Sequence, residues 1–284
     1  MDDWYAHTDR LQHGSDSTVV RDEGEGTVVF CLHGFPTSSW DFEPMWADLT
    51  DKRRAIAFDL LGLGRASKPD RALPVSAQAD LAEAVLDSCG VKRAHLLCHD
   101  LGDSVGQELL ARQADGSSRI AWTSAVFLNG GLFPETHRPR PIQRLLISPL
   151  GRWVARLSSE RTFRRSMKRI FGPDTPPSDA FLRDSWALLV ADGGRTALPH
   201  LIRYMEERKT QRERWVRPLL DKRVPTRVIN GSLDPVSGRH AAQRYADLVP
   251  RADVVHLPKL GHYPHVEDPA AVFSAVDTFW SALE

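Results

Sequence analysis

Cysteine is scarce in this chain of 284 residues, with Cys31, Cys89 and Cys98 the only three. Thiols so few, set in apolar runs or at a helix end, suit a reduced state better than a disulfide framework, and they are expected to carry no chemistry. Long apolar runs are missing too. No segment nears the ~20 apolar residues that a helix needs to cross a bilayer. An excess of either charge is absent, since 37 Lys and Arg balance 37 Asp and Glu, and nothing in that balance points to nucleic acid or a membrane surface. The start, Met1-Asp2-Asp3-Trp4-Tyr5-Ala6-His7, has neither the basic residues nor the apolar stretch of a secretory signal, so a cytoplasmic location is expected.

What is present is ordinary globular material. A 42% hydrophobic and 26% charged composition excludes collagen-like, coiled-coil and disordered chains, and the length suits one large α/β domain, alone or with a smaller insertion. Thr27 to Leu32, Arg54 to Phe58, Ala94 to Cys98, Ser124 to Leu128, Thr226 to Ile229 and Asp253 to Leu257 read as strands. Runs apolar almost throughout fit a parallel sheet covered on both faces. Helical patterns separate them, the clearest being Val272, Phe273, Val276, Phe279 and Trp280 on one face of a terminal helix. Alternation of strand and helix predicts a doubly wound, mainly parallel sheet.

That rhythm breaks after Asn129, and the next strand waits until Thr226. The stretch between, rich in Arg, Trp, Leu and Pro, is expected to be a helical cap over 133–220, with the core in two parts, 1–132 and 221–284. From Phe133 to Leu220 there are 18 Lys and Arg against 9 Asp and Glu, leaving 19 against 28 elsewhere. A basic cap docking on an acidic core accounts for this, and a site selecting anionic substrates is the other reading.

The strongest chemical signal is Leu96-Leu97-Cys98-His99-Asp100-Leu101-Gly102, a strand turning sharply into a helix. Such a turn is a nucleophile elbow when small residues stand two before and two after the central one, and Cys98 and Gly102 fill those places. Asp100 is then the candidate nucleophile. Its carboxylate meets backbone N–H groups and the positive end of the helix dipole. An N-cap is the plainer reading of an aspartate at a helix start. Upstream, Leu32-His33-Gly34-Phe35-Pro36 follows a strand as an oxyanion loop does, so the backbone N–H groups of Phe35 and Leu101 are the candidate oxyanion donors. Downstream, Asn230-Gly231-Ser232-Leu233-Asp234-Pro235 and Leu260-Gly261-His262-Tyr263-Pro264-His265 supply a candidate acid, Asp234, and a candidate base, His262. The chain order is nucleophile, acid, histidine.

Together these motifs resemble the α/β-hydrolase superfamily, specifically its branch with aspartate nucleophiles, the epoxide hydrolases and haloalkane dehalogenases. Phe35 to Ser39, Ser104 to Arg112 and Asn129 to Pro139 are closer still to mesoderm-specific transcript-like hydrolases. The resemblance implies an α/β-hydrolase fold, a doubly wound sheet with a helical cap inserted after the sixth strand. It also implies hydrolysis through an ester on Asp100, with His262 activating water and Asp234 orienting His262.

A carboxylate displaces a good leaving group at saturated carbon, and epoxides and alkyl halides both qualify. Haloalkane dehalogenases hold the halide with a tryptophan directly after the nucleophile and a second tryptophan or asparagine; here Leu101 and Phe35 stand in those places. Epoxide hydrolases donate a proton from cap tyrosines, usually two; Tyr204 is the one tyrosine of this cap, a departure that leaves either a single donor or a partner of another kind. Epoxide opening to a diol is therefore the expected activity, with haloalkane dehalogenation, or ligand binding without catalysis, as alternatives. His33, Trp40 and Trp186 are expected to line the pocket. Metal is not expected, because His262 and His265 have no third ligand near them in sequence, and no cofactor is needed. The expected partners are a small apolar or amphipathic substrate and water, with no nucleic acid and no membrane span, in a monomer or homodimer.

Overall fold

Residues with nothing polar to offer fill the middle of the sheet, and the alternation of their side chains builds two cores at once. In a computed structural model that describes residues 1–283, the eight strands are β1 (Asp9–His13), β2 (Asp16–Glu23), β3 (Val28–Leu32), β4 (Arg54–Phe58), β5 (Arg93–His99), β6 (Ala121–Leu128), β7 (Thr226–Gly231) and β8 (Asp253–Leu257). Their order is β1-β2-β4-β3-β5-β6-β7-β8. β1 and β2 pair antiparallel, as do β2 and β4; every other neighbouring pair is parallel.

On β3, Phe30 and Leu32 point into one cluster with Leu81, Val85, Val105 and Leu109, from the helices Val75–Ser88 and Leu101–Asp115. Val29 and Cys31 point the other way, against Met45, Trp46, Val276 and Trp280 of the helices Glu43–Lys52 and Pro269–Ser281. A strand buried on both faces must be apolar at every position, which is why β3 reads as a continuous run.

The six strands read from sequence are present, and two more precede them. β1 is polar and largely exposed, and a sheet-edge strand with water on one side carries no apolar run to betray it. With these two counted, β6 is the sixth strand, and the helical insertion follows it as expected. Seven α-helices run from Pro141–Ile147 to Arg212–Asp221 before β7.

Opposite charges seat the insertion on the core. Arg214 bridges Glu108 at 2.9 Å and Asp115 at 2.7 Å, both on the helix after β5, and the Trp215 indole donates to Glu108 at 2.8 Å. Arg152 reaches Asp70 at 3.1 Å. The apolar cluster above the sheet continues into the insertion through Leu182, Leu198, Leu201 and Tyr204, so burial and charge hold the two together.

Candidate active site

β5 ends at His99 and the next helix begins at Leu101, so Asp100 alone makes the turn. It does so at φ 48° and ψ −101°, a conformation that side chains other than glycine rarely adopt and that tight surroundings must enforce. Gly102 shows how tight they are: a Cβ there would stand 2.1 Å from the Leu32 carbonyl oxygen. The turn lifts the Asp100 side chain above the carboxyl ends of the parallel strands, where α/β sheets bind ligands. Its Oδ2 accepts the Phe35 N–H at 3.1 Å.

The His262 Nδ1 lies 2.8 Å from Asp234 Oδ2. A carboxylate oxygen accepts, so Nδ1 carries hydrogen and Nε2 is the atom left for proton transfer. Asp234 accepts further from Asn129 Nδ2 at 3.0 Å, Val236 N at 2.7 Å, Ser237 N at 3.0 Å and Ser237 Oγ at 2.8 Å. Burial alone would raise the Asp234 carboxyl; the imidazole and these donors overcome it and hold it at about 2. Burial likewise works to lower His262, but Asp234, and behind it Asp100 and Glu267, raise it to about 9. Each partner thus favours the charged form of the other.

The loop carrying His262 is clamped to the insertion. The His262 N–H donates to the Ile170 carbonyl at 2.7 Å, and Glu267 Oε2 accepts from Gly172 N at 2.7 Å and Gly261 N at 2.9 Å. A Cβ on Gly261 would meet the Ile170 carbonyl oxygen at 2.3 Å, so only glycine permits this approach.

From above, the insertion lowers two side chains of the helix Tyr204–Thr210 onto Asp100. The Tyr204 hydroxyl stands 3.3 Å from Oδ1 and 3.4 Å from Oδ2, long hydrogen bonds shared between the two oxygens. One turn later, Arg208 is buried, donates from Nη2 to the Asp100 backbone carbonyl at 2.7 Å and from Nε to Ser104 Oγ at 2.6 Å, and stacks its guanidinium 4.6 Å from the Tyr204 ring. Burial and the Asp100 charge raise the Tyr204 phenol, while Arg208 works against them.

A cavity of about 290 Å³ opens beside this group. Phe35 and His262 form its inner end, Leu146, Met167, Trp186 and Leu198 form apolar walls, and Arg140 and Arg169 are also in its lining. Neither Asp100 nor Tyr204 is in its lining.

The family model described as Alpha/beta hydrolase family matches residues 28–275. The chain is an α/β-hydrolase. It is 39% identical over 264 residues to the mesoderm-specific transcript homolog protein of Bos taurus, covering 89% of this chain and 78% of that one. The haloalkane dehalogenase DatA from Agrobacterium tumefaciens C58 superposes with a TM-score of 0.83 at 18% identity, over 98% of this chain and 97% of that one. The epoxide hydrolase CorEH does so with a TM-score of 0.78 at 17% identity, over 98% and 99%. Both solved structures share the fold.

In this α/β-hydrolase, Asp100, Asp234, His262, Tyr204 and Phe35 come together. Leu101 begins the helix and is buried, but its N–H makes no bond to the resting carboxylate, because Oδ2 is turned to Phe35. Trp186 lines the cavity. His33 and Trp40 do not. The His33 ring lies fully buried beneath the loop, accepting from Leu60 N at 2.9 Å and bonding the Gly34 carbonyl at 2.9 Å, while Trp40 stacks on Phe181 of the insertion at 5.7 Å. Both serve packing, because each side chain finds its partners away from the cavity. His265 also differs from expectation: Asp41 and His99, far from it in sequence, are its neighbours.

Sequence reading missed Arg208, Asn129 and Ser237. Arg208 was within reach, since a residue four after Tyr204 shares its helix face. Asn129 and Ser237 gave no such sign, because only the fold brings the end of β6 and the turn after β7 around Asp234.

Proposed function

We propose that this α/β-hydrolase opens epoxides to vicinal diols through a covalent ester on Asp100, beneath a cap formed by residues 133–220. The observation that carries this reading is the Tyr204 hydroxyl, delivered from the insertion to within 3.3 Å of the Asp100 carboxylate. A proton donor beside the attacking carboxylate suits a leaving oxygen that remains attached to the substrate.

Phe35 holds Oδ2, so Oδ1 is the attacking atom. As it bonds to a ring carbon, the carbon–oxygen bond breaks, and the oxygen keeps the electron pair and takes the Tyr204 proton. The Arg208 guanidinium stands over the phenolate this leaves. Esterification removes a negative charge from the surroundings of His262 and so weakens its hold on its proton, which returns to Tyr204. Neutral at Nε2, His262 then deprotonates a water that adds to the Asp100 carbonyl carbon. The Phe35 and Leu101 N–H groups receive the oxyanion. Collapse expels the diol alkoxide, which takes the proton of the newly formed acid and leaves Asp100 a carboxylate.

A halide leaving group asks for N–H donors instead, and among the described residues no indole N–H is bonded at Asp100; the Trp215 indole, one residue type suited to the task, is bound to Glu108. Ser104, the serine nearest the elbow, is engaged by Arg208, which argues against a serine esterase. The apolar walls with Arg140 and Arg169 fit an amphipathic epoxide carrying an anionic end.

Intact-mass analysis of a His262→Gln variant incubated with epoxides and haloalkanes tests this. An adduct equal to the epoxide mass, mapped to Asp100, is expected. An alkyl adduct with released halide moves the assignment to dehalogenase. No adduct from either panel, with a wild-type enzyme that forms neither diol nor halide, makes the chain a ligand-binding member of the fold.

A further inference from the structure

Behind the loop that carries His262, three side chains from distant segments converge on one point. Asp41 comes from the turn Ser39–Phe42 after β3, His99 from the end of β5 and His265 from the short helix Pro264–Glu267. All three are buried, at 2%, 0% and 0% exposure, and one oxygen or nitrogen from each lies within 4.8 Å of the other two.

The hydrogen-bond inventory of this trio does not close. His99 Nε2 lies 2.8 Å from the His262 carbonyl oxygen, which can only accept, so Nε2 carries the hydrogen and Nδ1 presents a lone pair. That Nδ1 has no partner, nor does Asp41 Oδ1, nor does either ring nitrogen of His265. The other Asp41 oxygen accepts from Thr37. Four buried polar atoms of the trio are thus without a partner, and no cation serves them: among the described residues Asp41 forms no bridge to Lys, Arg or the amino terminus. Natural interiors seldom leave such groups unmet.

We propose that Asp41 Oδ1, His99 Nδ1 and one ring nitrogen of His265 bind a divalent transition-metal ion of zinc-like preference, with water as a fourth ligand. Two neutral imidazoles and a carboxylate are a zinc donor set, and an imidazole whose second nitrogen donates to a backbone carbonyl is the usual way such a ligand is oriented. At this spacing there is always a point within about 2.8 Å of all three atoms, against about 2.0–2.2 Å for zinc to nitrogen or oxygen, so a ligand at that limit moves in by under about 1 Å.

The ion stands outside the reaction. It ties together the segments that carry the Phe35 donor, the nucleophile turn and the His262 loop, and the His99 and His262 rings are 5.1 Å apart. Its role is to hold those three segments in register. The inference is independent of which bond the enzyme cleaves.

The test is metal analysis of the full chain purified from zinc-supplemented cells and dialysed against metal-free buffer. About one equivalent of zinc per chain is expected, with a thermal midpoint that falls on chelation and recovers with zinc. Cobalt added to the stripped protein should give the visible absorption bands of a four-coordinate site, and His265→Gln and Asp41→Asn should each lose zinc, cobalt bands and the chelator response. His262→Gln should keep all three. Absence of bound metal in wild type, with a midpoint indifferent to chelator and zinc, overturns the proposal and leaves a single buried water bridging the trio. So does one equivalent retained when His265 and Asp41 are both replaced. If the variants fail to fold, the wild-type metal content and chelator response still decide.

Discussion

Arg208 grips Asp100 by the backbone. Its Nη2 donates to the Asp100 carbonyl oxygen at 2.7 Å and stands 3.8 Å from Oδ1 of the same residue, so one side chain of the insertion steadies the strained turn and places a positive charge beside the carboxylate. The insertion is thus part of the site's construction as well as its cover.

Replacing Arg208 with Met should cost about 2–5 kcal/mol of stability, because it removes the cation beside the buried Asp100 carboxylate, leaves the Ser104 hydroxyl unmet and leaves the Asp100 carbonyl with the Asp103 N–H alone. Lysine should not restore it, since one ammonium cannot span both acceptors as the guanidinium fork does. Urea unfolding of the two variants measures this. Equal stability of Arg208→Met and wild type would show that the grip contributes nothing.

Tyr204→Phe should slow ester formation from an epoxide by roughly 10²–10⁴-fold, the usual worth of a positioned general acid, while leaving hydrolysis of a formed ester little changed. Single-turnover mass spectrometry separates the two steps. An unaltered first step would remove Tyr204 from the chemistry.

The ion pair of His262 and Asp234 sets a window of stability. His262, raised from its ordinary 6.5 to about 9, contributes fully below pH 6.5, and that contribution is lost as pH climbs through about 9. Asp234, lowered from 3.8 to about 2, contributes fully above pH 3.8 and loses it as pH falls through about 2. Thermal midpoints should therefore plateau between about pH 4 and 6.5 and decline on either side. In Asp234→Asn the alkaline decline should flatten; a slope equal to that of wild type would place its origin elsewhere.

If the cavity takes amphipathic epoxides, Arg140→Ala and Arg169→Ala should each raise KM for substrates with a carboxylate tail by roughly 2–5-fold, the reach of a partly solvated ion pair worth up to about 1 kcal/mol. Neutral analogues of the same length should show no change in KM. Equal effects on both would mean that the arginines shape the cavity without reading charge.

Much of this was legible along the chain. β3 announced itself as an unbroken apolar run and β5 and β6 as runs interrupted by a few buried polar side chains, His95, His99 and Ser124, because strands covered on both faces are mostly apolar, and the elbow was visible because a strand-to-helix turn this sharp demands Gly102 near its centre. β1 was not legible, since an edge strand in water needs no apolar code. His33 and Trp40 misled for a related reason. A residue next to a motif shares its sequence neighbourhood, but the backbone turns its side chain wherever packing allows, and these two turn into protein.

Local chemistry, written in single segments, determined the parts: a carboxylate on a tight turn, an acid after one strand, a histidine before the last helix and a tyrosine late in the insertion. Distances between segments were decided only by the tertiary structure, because they depend on how the sheet orders its strands and where the insertion settles. That is how Arg208 comes to stand over Asp100, and how Asp41, His99 and His265, scattered over most of the chain, come to lie buried within 4.8 Å of one another.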